Sequence, residues 1–291
     1  MDNKAFIHHI ESQLQGAYPT NEANALAWWI AEETTGLSRT QLLCGCKITK
    51  NIPNLQEIID RLLNFEPIQY IFGHTLWGGL DLKLTKATLI PRPETAELVD
   101  KIATYHFKNQ NKTTRVLDIG TGSGCIAIGL KKHHPEWQVT GIDISEEALK
   151  VAKENAKLNN VIVSFQKMDI LSDSIEHFLR SKDESFHFDI IVSNPPYICE
   201  KEKSSMRQNV LHFEPNTAFF VPDDDPLLFY RRIASLFANQ RSETHLFFEI
   251  NENYSVEITK MLTHFGYSNI KISQDIYSKP RIIEAKTSFM Q

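Results

Sequence analysis

Through the first 65 positions apolar residues recur three and four apart, as at Leu26, Trp29 and Ile30 and again at Ile58, Ile59, Leu62 and Leu63. That spacing puts them on one face of a helix, and residues of capping type separate the runs, so residues 1–65 are expected to form a small helical domain. From Pro67 to Pro93 the pattern changes. Glycine-rich, β-like segments follow, Ile71-Phe72-Gly73 and then Trp77 to Leu84, in which Leu80, Leu82 and Leu84 alternate with polar residues. A period of two belongs to a strand with one buried face, and residues 66–93 read as a connecting β-hairpin. Beyond Glu94 a helix is expected to about Phe107, then a polar break over 108–114. In the rest of the region 94–291 strands alternate with helices, the order of an α/β fold. Strands are expected at 115–119, 138–142, 162–166, 188–193, 245–250, 268–274 and 280–286.

Composition narrows the class. A chain of 291 residues has room for a small domain beside a larger one, each with its own core. Lys and Arg number 31 against 36 Asp and Glu, a net charge of −5, so no global basic field recruits nucleic acid. No apolar run approaches the about 18 residues of a spanning helix, and the N-terminus has no signal-type run, so the expected location is the cytoplasm, away from membranes. Cys44, Cys46, Cys125 and Cys199 lack zinc-site spacing and are expected to be free thiols. His74, His133 and His134 likewise show no metal spacing and are expected on the surface or in packing. The Trp28-Trp29 pair reads as helix packing. Lys201 to Ser205 reads as a loop, either solvated or a lid.

The most informative stretch is Phe188 to Tyr197, an apolar run that stops at Asn194-Pro195-Pro196-Tyr197. It reads as a buried parallel strand ending in a loop, and loops at the carboxyl ends of such strands hold ligands in open α/β sheets. Residues before proline are held extended and proline has no N–H, so the main-chain carbonyls there are rigidly aimed. The Asn194 side-chain oxygen and the Pro195 carbonyl can together accept both bonds of one NH2 group. Tyr197 can lie flat against a planar amide or base.

A second motif lies upstream. Val116-Leu117-Asp118-Ile119-Gly120-Thr121-Gly122-Ser123-Gly124-Cys125 is a strand, a glycine turn and a helix start. Glycines at 120, 122 and 124 permit positive φ and close approach of a ligand to main chain. A dinucleotide fingerprint wants glycine at 125, where Cys125 stands; the spacing fits the variant used for S-adenosyl-L-methionine. Gly120, Thr121, Gly122, Ser123 and Gly124 are therefore candidate cofactor-binding residues, with Asn194 beside them. Asp143 ends the next expected strand nineteen residues after Gly124, and a carboxylate there can accept from both ribose hydroxyls. The N-cap of the following helix falls to Ser145. Asp169 is placed to meet the adenine amino group, as an alternative to a turn role, and Ile170 to lie against the ring face.

A methyl donor beside an NH2 clamp points to transfer onto a planar nitrogen whose lone pair is delocalised. Such a site must hold both N–H bonds and stabilise charge growing on nitrogen, without a general base of tuned pKa. With these motifs on the page the chain resembles the N5-glutamine methyltransferases of peptide chain release factors, nearly end to end. The resemblance rests on Phe65 to Gly73, Leu89-Ile90-Pro91-Arg92-Pro93-Glu94-Thr95, the glycine loop, Asn194 to Tyr197, and Phe213-Glu214-Pro215. It implies a class I, Rossmann-like methyltransferase fold with a seven-stranded sheet over 94–291 and a helical N-terminal domain that grips the protein substrate. The implied acceptor is the glutamine amide of a Gly-Gly-Gln motif in class 1 release factors. Asn194, Pro195 and Tyr197 are the implied catalytic residues, and Pro196, Arg92 and Glu94 would help position substrate. Departures from the family pattern occur at Ala96, where another acid is usual, at Ile170, where an aromatic can stand, and across 222–226 and 249–254. A second reading from the same tetrapeptide is methylation of adenine N6 or cytosine N4 in nucleic acid. A third is a non-catalytic cofactor-binding module.

Overall fold

The computed structural model describes residues 2–49, 52–105, 113–172, 174–180, 186–238 and 242–287. Two compact units emerge, Met1–Gly73 with Gln208–Phe213, and His74–Arg207 with Glu214–Gln291.

The first unit is helical, with α1 (Asn3–Leu14), α2 (Thr20–Thr35), α3 (Arg39–Leu43), α4 (Leu55–Leu63) and α5 (Ile68–Phe72). The apolar stripes meet in one core that includes Ile10, Leu14, Ile30, Ile59 and Leu62. Trp28 and Trp29 pack against it. Asn3 Nδ2 donates to the carbonyls of Leu42 and Cys46 at 2.9 and 2.8 Å, tying the start of α1 to the end of α3. The split at Gly73 lies beyond the expected boundary at 65. The segment Ile71-Phe72-Gly73, expected to be β-like, closes helix α5 instead. Gly73 ends it in the left-handed conformation that glycine adopts readily.

The hairpin itself is shorter than expected, β1 (His74–Trp77) and β2 (Leu80–Lys83), joined by Gly78-Gly79. Leu80, Leu82 and Leu84 are buried as their alternation requires. The hairpin is held by side chains of α8 (Glu146–Leu158) and the residue that caps it. Asn155, fully buried, accepts from Lys83 N–H at 2.7 Å and donates to the carbonyls of Lys83 and Ser123. Asn159 donates to Asp81 O.

The remaining elements in chain order are α6 (Pro93–Ala103), β3 (Arg115–Ile119), α7 (Cys125–His133), β4 (Gln138–Asp143), β5 (Ser164–Lys167), α9 (Ser174–Arg180), β6 (Ile190–Ser193), β7 (Ile198–Cys199), α10 (Gln208–Phe213), β8 (Phe220–Val221), α11 (Leu228–Phe237), β9 (His245–Glu249), α12 (Ser255–His264), β10 (Tyr267–Gln274) and β11 (Pro280–Thr287). Seven strands form one sheet in the order β10-β11-β9-β6-β3-β4-β5, with β11 antiparallel to both neighbours. This is the class I methyltransferase fold, expected from the sequence. Each strand lies within two residues of its expected bounds, because buried apolar runs and flanking turn residues are both local signals. The polar break at 108–114 lies outside the described residues for 108–112. Lys201 to Ser205, expected as a loop, lies in a 3₁₀ helix, Glu200–Ser205: Glu202 accepts from Cys199 N–H and Asp223 from Lys201 N–H.

Helix α7 follows Gly124, whose φ is +82°. A Cβ built there would meet Ile128 Cδ1 at 3.0 Å and Ala152 Cβ at 3.1 Å, so α7 and α8 pack at the distance glycine allows. Gly124→Ala is expected to lower unfolding free energy by about 2–4 kcal/mol through strain and overpacking. Urea unfolding measures this directly; a loss under about 0.5 kcal/mol would mean that the helices yield freely.

Candidate active site

Beside Ile119 stand Ile142 of β4 and Ser193 of β6, all paired in parallel. The loops leaving β3, β4 and β6 therefore emerge side by side at the carboxyl edge, where the strand order reverses. A cavity of about 340 Å³ opens there, with Gly120, Gly122, Asp143, Asp169, Ile170 and Asn194 among its walls.

Gly120 and Gly122 present bare main chain to the cavity. Both have positive φ, and a Cβ on either would meet no neighbouring atom closer than 4.0 Å, so the loop is shaped around open space rather than around packing. Thr121, Ser123 and Gly124 do not reach the wall. The Thr121 hydroxyl donates to Asp118 Oδ2 at 2.5 Å, Ser123 offers its carbonyl to Asn155, and Gly124 seats α7 on α8. These three shape the loop that the glycines expose.

Asp118 holds that shape. It is 0% exposed, and its Oδ2 also accepts from Ala127 N–H at 3.2 Å, while Oδ1 has no hydrogen-bond partner among the described residues. Burial pushes its carboxyl up to about 7, against the hydrogen bonds from Thr121 and Ala127. An acid within the apolar run Val116-Leu117-Asp118-Ile119 is a legible signal of a structural role.

Asp143 stands at the wall with both oxygens oriented by main chain. Oδ2 accepts from Gly122 N–H at 2.8 Å and Oδ1 from Ser145 N–H at 2.9 Å. Burial raises its carboxyl despite those bonds. Ser145 caps α8 by accepting from Ala148 N–H, which leaves Asp143 out of the cap. Asp169 takes the turn role and also stands at the cavity wall. Its Oδ1 accepts from Leu171 N–H in a turn while the residue lines the cavity next to Ile170.

In the tetrapeptide, Asn194, Pro195 and Pro196 line the cavity and Tyr197 does not. The Asn194 Nδ2 donates to Thr95 Oγ1 at 3.2 Å, leaving Oδ1 as its polar atom free to face the cavity. Tyr197 instead turns into the core beside β6 and β9, its phenol donating to Glu249 Oε1 at 3.3 Å. The bond to buried Glu249 holds the hydroxyl end inward, and the ring does not line this cavity. Thr95 donates to the other oxygen, Oε2, at 2.6 Å. Arg92 and Glu94 are also absent from the wall. The Arg92 guanidinium pairs with Glu214 at 2.7 Å, and Glu214 accepts from Ile90 N–H as well, which joins the Leu89–Thr95 and Phe213–Pro215 segments. Ala96 packs against the core near the hairpin. Thr95, Glu214 and Glu249 went unassigned in the sequence because their partners lie far along the chain.

A mostly parallel seven-stranded sheet whose strand order reverses beside a bare glycine loop, with a carboxylate on the next strand and Asn194-Pro195-Pro196 at the same cavity, is the arrangement of a class I methyltransferase. Comparison gives the particular family. Residues 100–214 match the methyltransferase small domain model and residues 5–73 the PrmC N-terminal domain model. The release factor glutamine methyltransferase of Bacteroides thetaiotaomicron is 42% identical, covering 95% of this chain and 97% of that protein. That of Flavobacterium psychrophilum is 40% identical over 93% and 94%. The chain belongs to the release factor glutamine methyltransferase family. Human methyltransferase 10 domain containing protein, 17% identical with a TM-score of 0.51 over 73% of this chain and 90% of that one, shares the fold.

The raised Asp118 value has a consequence for stability. An acid whose folded pKa exceeds its unfolded one contributes most at low pH, and the contribution is lost as pH rises through the folded value. The stability of the wild type relative to Asp118→Asn is expected to fall between about pH 4 and 7. Urea unfolding of both proteins across that range checks it; a difference independent of pH would contradict it.

Proposed function

We propose that this chain transfers a methyl group from S-adenosyl-L-methionine to the side-chain amide nitrogen, N5, of the glutamine in the Gly-Gly-Gln motif of a class 1 peptide chain release factor. The observation that carries the reading is Asn194 at the cavity wall with its Nδ2 engaged by Thr95, so that an acceptor oxygen remains for an incoming NH2 group. The named relatives at 42% and 40% identity support the choice of acceptor.

The walls fit the cofactor. Bare main chain at Gly120 and Gly122 allows close approach, the Asp143 and Asp169 carboxylates are acceptors for hydroxyl and amino groups, and Ile170 is an apolar face for a ring. Thr121, Ser123 and Gly124 serve by shaping the loop. When bound, S-adenosylmethionine supplies a methyl group made electrophilic by the sulfonium.

The chain's own residues then have defined tasks. An amide nitrogen is a poor nucleophile because its lone pair is delocalised into the carbonyl. Asn194 Oδ1 and the Pro195 carbonyl accept its two N–H bonds, which orients the nitrogen and stabilises positive charge growing on it. Replacing N–H by N–CH3 releases one proton, and an acceptor already bonded to that N–H suits its departure. Pro196 keeps the Pro195 carbonyl rigid. Tyr197 acts as an anchor for the loop through Glu249. Arg92 and Glu94 act in substrate positioning, Arg92 through the Glu214 pair that ties its segment down. The helical unit is assigned to holding the release factor, and such a substrate implies a cytoplasmic location. Methylation of adenine N6 or cytosine N4 gains no support from a net charge of −5.

Incubation with labelled cofactor and release factor is expected to label the motif glutamine. Label in nucleic acid but not in protein would sink the reading. Asn194→Ala is expected to lower turnover on the order of 10²-fold or more, as removal of an oriented transition-state partner does. Asp143→Ala should act on the cofactor dissociation constant, and an unchanged constant by calorimetry would remove Asp143 from the cofactor site.

A further inference from the structure

Asn194 reaches the cavity as the last member of a chain of hydrogen bonds that begins at a buried acid. Glu249, at the end of β9, is 1% exposed and makes two side-chain contacts, with Thr95 Oγ1 at 2.6 Å and Tyr197 OH at 3.3 Å. Thr95, at the start of α6, is 2% exposed, and its hydroxyl oxygen accepts from Asn194 Nδ2 at 3.2 Å. A hydroxyl carries one hydrogen and an ionised carboxylate has none to give. With Glu249 ionised, the Thr95 hydrogen must point to Glu249, its lone pairs must point to Asn194, and Asn194 must answer with NH2. The oxygen of the amide is then the atom turned to the cavity.

We infer that Glu249 and Thr95 are positioning residues that set which end of the Asn194 amide faces the acceptor substrate. This rests on the amide-methylation reading, since an NH2 group demands oxygen from Asn194 and would be repelled by its NH2. The relay also accounts for Tyr197, whose phenol donates to the second oxygen of the same carboxylate and holds the other end of the tetrapeptide. A protonated Glu249 can donate to Thr95, which frees the Thr95 hydrogen for Asn194 Oδ1 and turns the amide the wrong way round.

Charged and titratable groups around Glu249 come from several elements: Glu94 of α6, Arg281 of β11, Tyr197 after β6, Cys125 of α7, and Tyr230 of α11, which donates to the Glu249 carbonyl. Burial raises the Glu249 carboxyl, opposed by the Thr95 bond, Arg281 and the Tyr197 bond, and assisted by Glu94. The productive polarity is therefore present at higher pH and lost as pH falls through that raised value.

The test uses the full-length protein. Thr95→Val keeps the shape of the side chain and removes the hydroxyl. It is expected to lower kcat on a release factor about tenfold, with smaller changes in KM and in the calorimetric Kd for S-adenosylmethionine. Thr95→Ser is expected to stay within about threefold of wild type, and Glu249→Gln to lose the acid limb of the kcat profile. Wild-type kcat in Thr95→Val, or Thr95→Ser as slow as Thr95→Val, would overturn the relay. The Asn194 side-chain NH2 resonances, assigned by their loss in Asn194→Asp, need no release factor and are expected to shift in Thr95→Val. Resonances that stay in place would overturn the relay too. A wild type that binds cofactor yet leaves the release-factor glutamine unlabelled counts against the methylation reading, and the resonances then still decide the orientation of Asn194.

Discussion

The parallel register of β3 with β4 on one side and β6 on the other is the constraint on which the rest of the second unit depends. Ile119 is level with Ile142 and with Ser193, so the glycine loop, Asp143 and the Asn-Pro-Pro-Tyr segment leave the sheet together. A slip of one residue in either pairing would exchange the side chains presented to the two cores and carry Asp143 or Asn194 away from the glycines. The register is secured by burial on both faces. Leu117 and Ile119 face one core, and Val116 faces the other.

Around that register sit polar side chains that have lost their water. A buried polar group without a partner costs about 1–3 kcal/mol, so each placement needs a compensating contact. Asp118 binds the glycine loop to the start of α7, Asn155 binds the hairpin to the same loop, and Glu214 holds Ile90 and Arg92 in the segment before α6. The Glu214 contact joins two segments that carry the family motifs. The polar interior thereby fixes the shape of the cavity, while the apolar interior fixes the sheet.

The chemistry suits such a frame. Methyl transfer to an amide needs acceptors held still, more than it needs a base, and the wall around Asn194 offers acceptors whose geometry is held by rigid proline main chain and by the Thr95 contact. Among the described residues, the charged side chains at the wall are the Asp143 and Asp169 carboxylates, whose orientation is set by main-chain N–H groups at Gly122, Ser145 and Leu171. Tyr197, conspicuous in the motif, contributes from behind the wall through Glu249.

Local signals carried much of this in the sequence. Periodicity places all seven strands of the sheet, the alternation of Leu80, Leu82 and Leu84 gives the buried face of the hairpin, and the glycine spacing with Asp143 marks one wall of the cavity. These depend on residues within a few positions of one another, and period and turn chemistry are properties of such short stretches. The end of the helical unit was misplaced because Ile71-Phe72-Gly73 satisfies both a strand and a helix closed by glycine. The direction of Tyr197 and the parts played by Thr95, Asn155 and Glu249 were decided by tertiary structure alone. Asn194 meets Thr95 across 99 positions and Thr95 meets Glu249 across 154. A buried polar group takes whatever partner the fold delivers, and no short-range pattern records which one that is.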